Sequence, residues 1–278
     1  MRVYVEGVGL CGPGLDGWAA SVPILSGALD YAPAPTRLPI ATLLPANERR
    51  RAVQTVKVAL VVGEEALAAA HREPGPTVFA SSGGDGDTIH AILSVLASAD
   101  RAVSPTRFHN SVHNAPAGYW SIATSSTSAS TSLCGHDDSF AAGLLETTVQ
   151  ACVEGRAVTL VAYDVQYPPP LHDVRPLGPA FGVALVLAPA PTPAAFASID
   201  LVLEPGAAAA STLASPELEA LRRGTPAARC LPLLGALAGQ VETRVVIDYL
   251  GDMALHLIVR PVRHGDGYEA GMVVEIHT

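Results

Sequence analysis

Apolar positions along this chain alternate between two periods. Residues 2–10 alternate and are rich in β-branched side chains, which predicts a strand ending at glycines. From Asn47-Glu48 a helical spacing runs through Val53, Val56, Ala59, Leu60, Gly63 and Leu67. It puts Arg49, Arg50 and Arg51 in the first turn, which the helix dipole disfavours, so pairing across an interface is a reason to hold them there. Thr77-Val78-Phe79-Ala80 predicts a short buried strand ending at Ser81-Ser82-Gly83-Gly84, and Thr88 to Ala99 a helix with Asp87 as N-cap. A further helix is predicted over Asn110 to Thr124, with Pro116 confined to its first turn or a kink.

Ser/Thr-rich, strand-like residues then lead to Cys134, and Ser139 to Glu154 has helical spacing. Ala157 to Tyr163, Gly182 to Leu187 and Ile199 to Leu203 read as strands. This order predicts an α/β fold with layered helices and a mixed, largely parallel sheet. Pro and Ala alternate between Ala188 and Ala195, as in an extended connector, and 206–240 is Ala-rich with a weak helical signal. Val241 to Ile247 and Met253 to Val259 flank Tyr249-Leu250-Gly251-Asp252 as a hairpin. The expected organisation is a domain over 1–200 and a C-terminal extension with a β-hairpin over 201–278, without internal repeats.

Composition narrows the classes. Of 278 residues, 49% are apolar and only 15% charged, which suits a protein whose exposed face a partner covers. The net charge of -9 argues against nucleic acid. Cys11, Cys134, Cys152 and Cys230 form no CxxC pair, so neither a disulfide framework nor a zinc site is expected. Met1 to Gly7 has no apolar h-region, and no run is long enough to span a bilayer, so a cytoplasmic protein without metal or cofactor is predicted.

Candidate chemistry centres on Cys134. A strand ending in a cysteine at the start of an Ala/Gly-rich helix is one way to make a reactive thiol; a small core cysteine is the alternative. A nucleophile needs a proton acceptor. His90, His109, His113 and His136 lie near in sequence; His109 and His113, four apart, have no acidic partner at metal spacing. Gly7-Val8-Gly9-Leu10-Cys11-Gly12 matches a dinucleotide fingerprint, but Pro13, Gly14 and Gly17 stand where its helix should begin, so a glycine-rich turn is expected. There is no GxSxG elbow and no P-loop.

Several pieces in one order resemble the N-terminal half of a β-ketoacyl synthase of the thiolase-like superfamily. They are the strand with Gly7-Val8-Gly9, Arg49-Arg50-Arg51, Phe79 to Gly84, Ser104-Pro105, Asn114 to Gly118 with Ser121-Ile122, the Ser/Thr strand to Cys134, and Ser139 to Glu146. The resemblance covers roughly residues 1–190. It implies half of a thiolase-like layered fold. Ketosynthases pair a cysteine of the first half with two histidines of the second, and nothing after about residue 200 looks like such a half. The run between Gly118 and Cys134 is short, and Gly135-His136-Asp137 departs from the small residues that usually follow the nucleophile.

The chain therefore more closely resembles truncated chain-length factors of the aryl polyene, or xanthomonadin, type. That implies a subunit without catalysis of its own, paired as a heterodimer with a full-length β-ketoacyl synthase, acyl carrier protein reaching it indirectly. The resemblance places Gly83, Gly84, Asp87, His90 and Phe108 along the partner's acyl tunnel, small residues at 83 and 84 implying a long product. It places Thr124, Ser126, Ser128, Ser130 and Ser132 at the dimer interface. The rival expectation is a stand-alone condensing or acyl-transfer enzyme with Cys134 as nucleophile and His109 or His113 as base; a degenerate thiolase-like scaffold without a tunnel role is a third.

Overall fold

β1 (Arg2–Gly12) crosses the centre of the sheet and turns at Pro13-Gly14 into β2 (Leu15–Asp16), with Gly14 at a φ of 63°. The structure is a computed structural model that describes residues 1–206 and 209–263. After β2 come α1 (Trp18–Leu25), α2 (Ala46–Arg51), α3 (Gln54–Ala70), β3 (Thr77–Ala80), α4 (Gly86–Leu96), α5 (Pro105–Asn110) and α6 (Ala115–Thr124). β4 (Ser130–Leu133), a 3-10 turn (His136–Asp138), α7 (Ser139–Glu154), β5 (Val158–Asp164), α8 (Leu171–Val174) and β6 (Phe181–Ala188) follow. The described chain closes with β7 (Ala197–Pro205), α9 (Pro216–Gly224), a second 3-10 turn (Pro226–Cys230), α10 (Leu231–Gly239), β8 (Thr243–Tyr249) and β9 (Met253–Pro261).

The strands form one sheet in the order β4-β3-β5-β6-β1-β7-β9-β8, with β2 on β1. β4, β3 and β5 are parallel and the other pairings antiparallel. Since β6 runs against both β5 and β1, β1 ends on the same rim as β3, β4 and β5. α3 covers one face of the sheet through Val58, Val62 and Ala66 against Val161, Ala184 and Val186. α7 and α10 cover the other face, through Phe140, Leu144, Leu234 and Leu237 against Leu160, Leu185 and Leu257. β5 and β6 are buried along their whole length, as strands of a middle layer must be. The fold class is α/β.

Several expectations change. Gly7 and Gly9 lie inside β1, not in a turn, because α3 rests on them: a Cβ at Gly9 would stand 1.9 Å from the Val62 carbonyl oxygen, and one at Gly7 2.1 Å from that of Ala66. The long helix from Asn47 is two, broken where Ala52 turns extended at ψ 121°. Arg49, Arg50 and Arg51 thus occupy the last turn of α2, where the dipole favours cations and needs no interface to explain them. Asp85, not Asp87, caps α4, accepting from the Thr88 amide at 2.8 Å. The helix expected within 110–124 is α6, with Pro116 in its first turn, and it starts only at Ala115, after the separate α5 has ended at Asn110.

The boundary drawn at residue 200 falls within β7, which pairs with β1 on one side and β9 on the other. Leu218, Leu231 and Leu255 share one core with Val3 and Leu160, so the sheet and its core run across that boundary. Residues 207–208 and 264–278 of the expected extension lie outside the described residues. Among the described residues no helix is long and apolar enough to cross a membrane.

Candidate functional site at the carboxyl rim of the parallel strands

β3 ends at Ala80 and its parallel neighbour β4 at Leu133, so Ser81-Ser82 and Cys134 leave the sheet side by side. Carboxyl rims of parallel strands are where open α/β sheets bind ligands. Cys134 is exposed, and its Sγ donates to the Ser82 carbonyl oxygen at 3.3 Å. Beyond it, the Gly135 amide donates to Ser139 Oγ at 3.0 Å, which turns the chain into α7.

Ser82 is itself held by Asp164, the last residue of β5. This buried carboxylate accepts from the Ser82 amide at 2.9 Å, Ser82 Oγ at 2.6 Å, Ser81 Oγ at 3.4 Å and the Ala227 amide at 2.8 Å. Burial pushes the Asp164 carboxyl above its ordinary range, against the downward pull of those hydrogen bonds. Asp164 fixes the carbonyl that faces Cys134 and ties the rim to the second 3-10 turn. The sequence reading missed it; its signal was a lone acid ending an apolar strand.

The acids after Cys134 are matched by arginines from far along the chain. Arg175 donates to Asp137 at 2.9 Å and also meets the His136 ring, while Arg229 reaches Asp138 at 2.6 Å and Asp137 at 3.3 Å. His113 approaches the rim, with Nε2 3.1 Å from the Ser81 carbonyl oxygen. His109 lies edge-on to Tyr119, ring centroids 5.8 Å apart. Among the described residues no imidazole hydrogen-bonds Cys134, and no group of three His, Cys, Asp or Glu is placed to hold a metal.

The residues expected along a tunnel gather around α4. Gly83 precedes the helix, and a Cβ there would stand 1.7 Å from Tyr167 Oη; Gly84 has a φ of 71°. Packing and backbone conformation thus account for both glycines without reference to product length. Asp87 and His90 are exposed on α4. The helix carries Ile89, Ile92, Leu93, Val95 and Leu96 yet buries only Gly86 and Thr88. Leu93 is 59% and Leu96 47% exposed, with Phe108 of the contacting α5 at 67%.

Of the residues expected at an interface, Ser130 and Ser132 lie in β4, the outermost strand on its side of the sheet. Ser126 and Ser128 occupy the preceding loop, where the Ser128 amide donates to Ser126 Oγ at 3.2 Å. Thr124 ends α6, its Oγ1 donating to the Trp120 carbonyl at 2.8 Å.

A helix-sheet-helix sandwich with a strand, cysteine and helix meeting at its rim is the layered fold of thiolase-like ketosynthases. The chain belongs to the family of β-ketoacyl synthase N-terminal domains, whose model matches residues 26–228. It is similar in fold to a structure from Xenorhabdus doucetiae of the ketosynthase ApeO in complex with its chain length factor ApeC. There the TM-score is 0.71 and the identity 21%, over 93% of this chain and 99% of that one. The ishigamide ketosynthase/chain length factor gives a TM-score of 0.70 at 13% identity, over 95% and 100%. A type II polyketide synthase acyl-carrier protein in complex with its ketosynthase, AntDE:AntF, gives 0.71 at 11%, over 94% and 99%. No curated protein matches this sequence.

Proposed function

We propose that this chain is a chain-length-factor-like subunit, one that pairs with a full-length β-ketoacyl synthase and shapes its acyl tunnel without carrying out the condensation. The pathway class is polyketide or fatty-acid-like biosynthesis of the aryl polyene type, with acyl carrier protein engaged through the partner. The observation that carries this reading is at Cys134. Its sulfur stands at a strand-to-helix rim, yet it donates to a carbonyl fixed by Asp164, where a nucleophile needs a group that accepts its proton. The apolar face of α4 supports it, because a helix bearing five large aliphatic residues with so little buried calls for a cover. The assembly named for the Xenorhabdus doucetiae structure offers one of the right kind. Four free cysteines suit a reducing cytoplasm.

The test is reconstitution with a ketosynthase encoded beside it, reading malonyl-dependent elongation and product length. Cys134→Ala is expected to leave the elongation rate of the pair unchanged, while His90→Trp on α4 shortens the products. Elongation by the chain alone, lost in Cys134→Ala, would instead assign the condensing chemistry to Cys134, with His109 or His113 as its base. A pair whose product length ignores His90→Trp would remove the tunnel role.

A further inference from the structure

A cleft of about 750 Å³ opens beside the carboxyl end of β1, between α3 and the segment that follows α1. Its volume falls within the range of small-molecule sites, and Leu10, Pro39, Ile40 and Val61 give it apolar walls. Cys11 is a neutral part of that wall: its thiol donates to the Arg37 carbonyl at 3.3 Å, and burial pushes it up to about 11.

The charge around the cleft is one-sided. Asp16, Glu64 and Glu65 stand against Arg37 alone, three carboxylates to one guanidinium, a formal -2. Arg37 is spent on Asp16, 3.5 Å away at the exposed rim. Glu65 is fixed in place, accepting from the Leu10 amide at 2.9 Å and the Trp18 amide at 2.6 Å. Glu64, half-buried on α3 beside Val61, has no hydrogen bond or ion pair among the described residues. A carboxylate in that position, next to apolar walls, is complementary to a donor that carries positive charge.

We propose that this cleft binds a small amphiphilic cation, its hydrocarbon body on Leu10, Pro39, Ile40 and Val61 and its protonated amine on Glu64. The cleft shares no lining residue with the site at Cys134 and does not depend on the role assigned there. The experiment titrates the full-length chain, alone and with a synthase bound, with octylammonium, octanoate and octan-1-ol. Binding is read by tryptophan fluorescence, since Trp18 follows the lining Gly17, and by calorimetry.

Octylammonium is expected to bind and octanoate to be rejected. Glu64→Gln weakens octylammonium by about tenfold and leaves octan-1-ol alone, as the loss of one charge-assisted hydrogen bond should. Val61→Trp fills the cleft and abolishes both; Ile40→Ser, at an exposed position on which folding does not depend, weakens both and stands in if the larger change fails to fold. Octanoate binding as well as octylammonium, indifference to Glu64→Gln, or no binding by any of the three overturns the proposal.

Discussion

Gly9 leaves no room for a methyl group, because the atom it would strike is the Val62 backbone carbonyl, which cannot rotate away. Gly9→Ala must push α3 off the sheet, at about 3 kcal/mol by the usual cost of overpacking. The measurement is urea unfolding, with a lower midpoint and an unchanged slope. Gly118, inside α6 with open space around it, is the control: alanine there should be neutral or stabilise by up to about 1 kcal/mol. At this scale the sequence displays residue types without their reasons. The Gly7–Gly9 pair is visible as a motif, but its cause is the approach of a helix from more than fifty positions away. Asp164 is likewise visible as an acid after an apolar run, while its donors at Ser81, Ser82 and Ala227 meet it only in the fold.

α4 shows what an element can do that its residues separately cannot. Its cap, Asp85, holds the first turn beside the rim through the Thr88 amide, and the helix then runs out with its aliphatic side uncovered. Leu93→Asp should leave the thermal midpoint of the lone chain unchanged, since Leu93 is exposed there. It should weaken pairing with a synthase by about tenfold or more, as loss of a central apolar contact does, measured by sedimentation on dilution. Elements with a single strong period were legible: α7 spans Ser139–Glu154 as the spacing predicts, and β5 and β6 match their apolar runs to within a residue or two. α2 and α3 merged in the sequence because Ala52 and Val53 continue the apolar rhythm, and only their extended backbone reveals the break. The N-cap was misplaced because Asp85 and Asp87 both precede the helix, and a hydrogen bond, not composition, decides between them.

Across the whole molecule, Asp200 on β7 draws the first and last strands together. It takes two hydrogen bonds from Arg2, at 2.6 and 2.8 Å, and another from Arg260 of β9. These guanidiniums, Arg2 foremost, lower its carboxyl from an ordinary 3.8 to about 2. A lowered carboxylate stabilises the fold above its ordinary value and ceases to do so as pH falls through its folded one. The stability gap between the parent and Asp200→Asn should therefore be full at neutral pH, shrink below pH 4 and close near pH 2, in urea titrations at each pH. None of this cross-strand pairing was legible, because alternation in β1 and β7 says which face is buried and nothing about which strand lies alongside. The helix-strand alternation was enough for the layered class, and the family's order of motifs for the rim.

The seat of β1 has a consequence for how the polypeptide is made. β1 needs β6 on one flank and β7 on the other, and both are encoded some 180 positions after it. Until then a glycine-rich, β-branched ribbon waits with both edges bare, open to any neighbouring chain. Its safest course is a chaperone's shelter, and a copy cut short before β7 would keep the Arg2–Val5 flank of that ribbon bare for good.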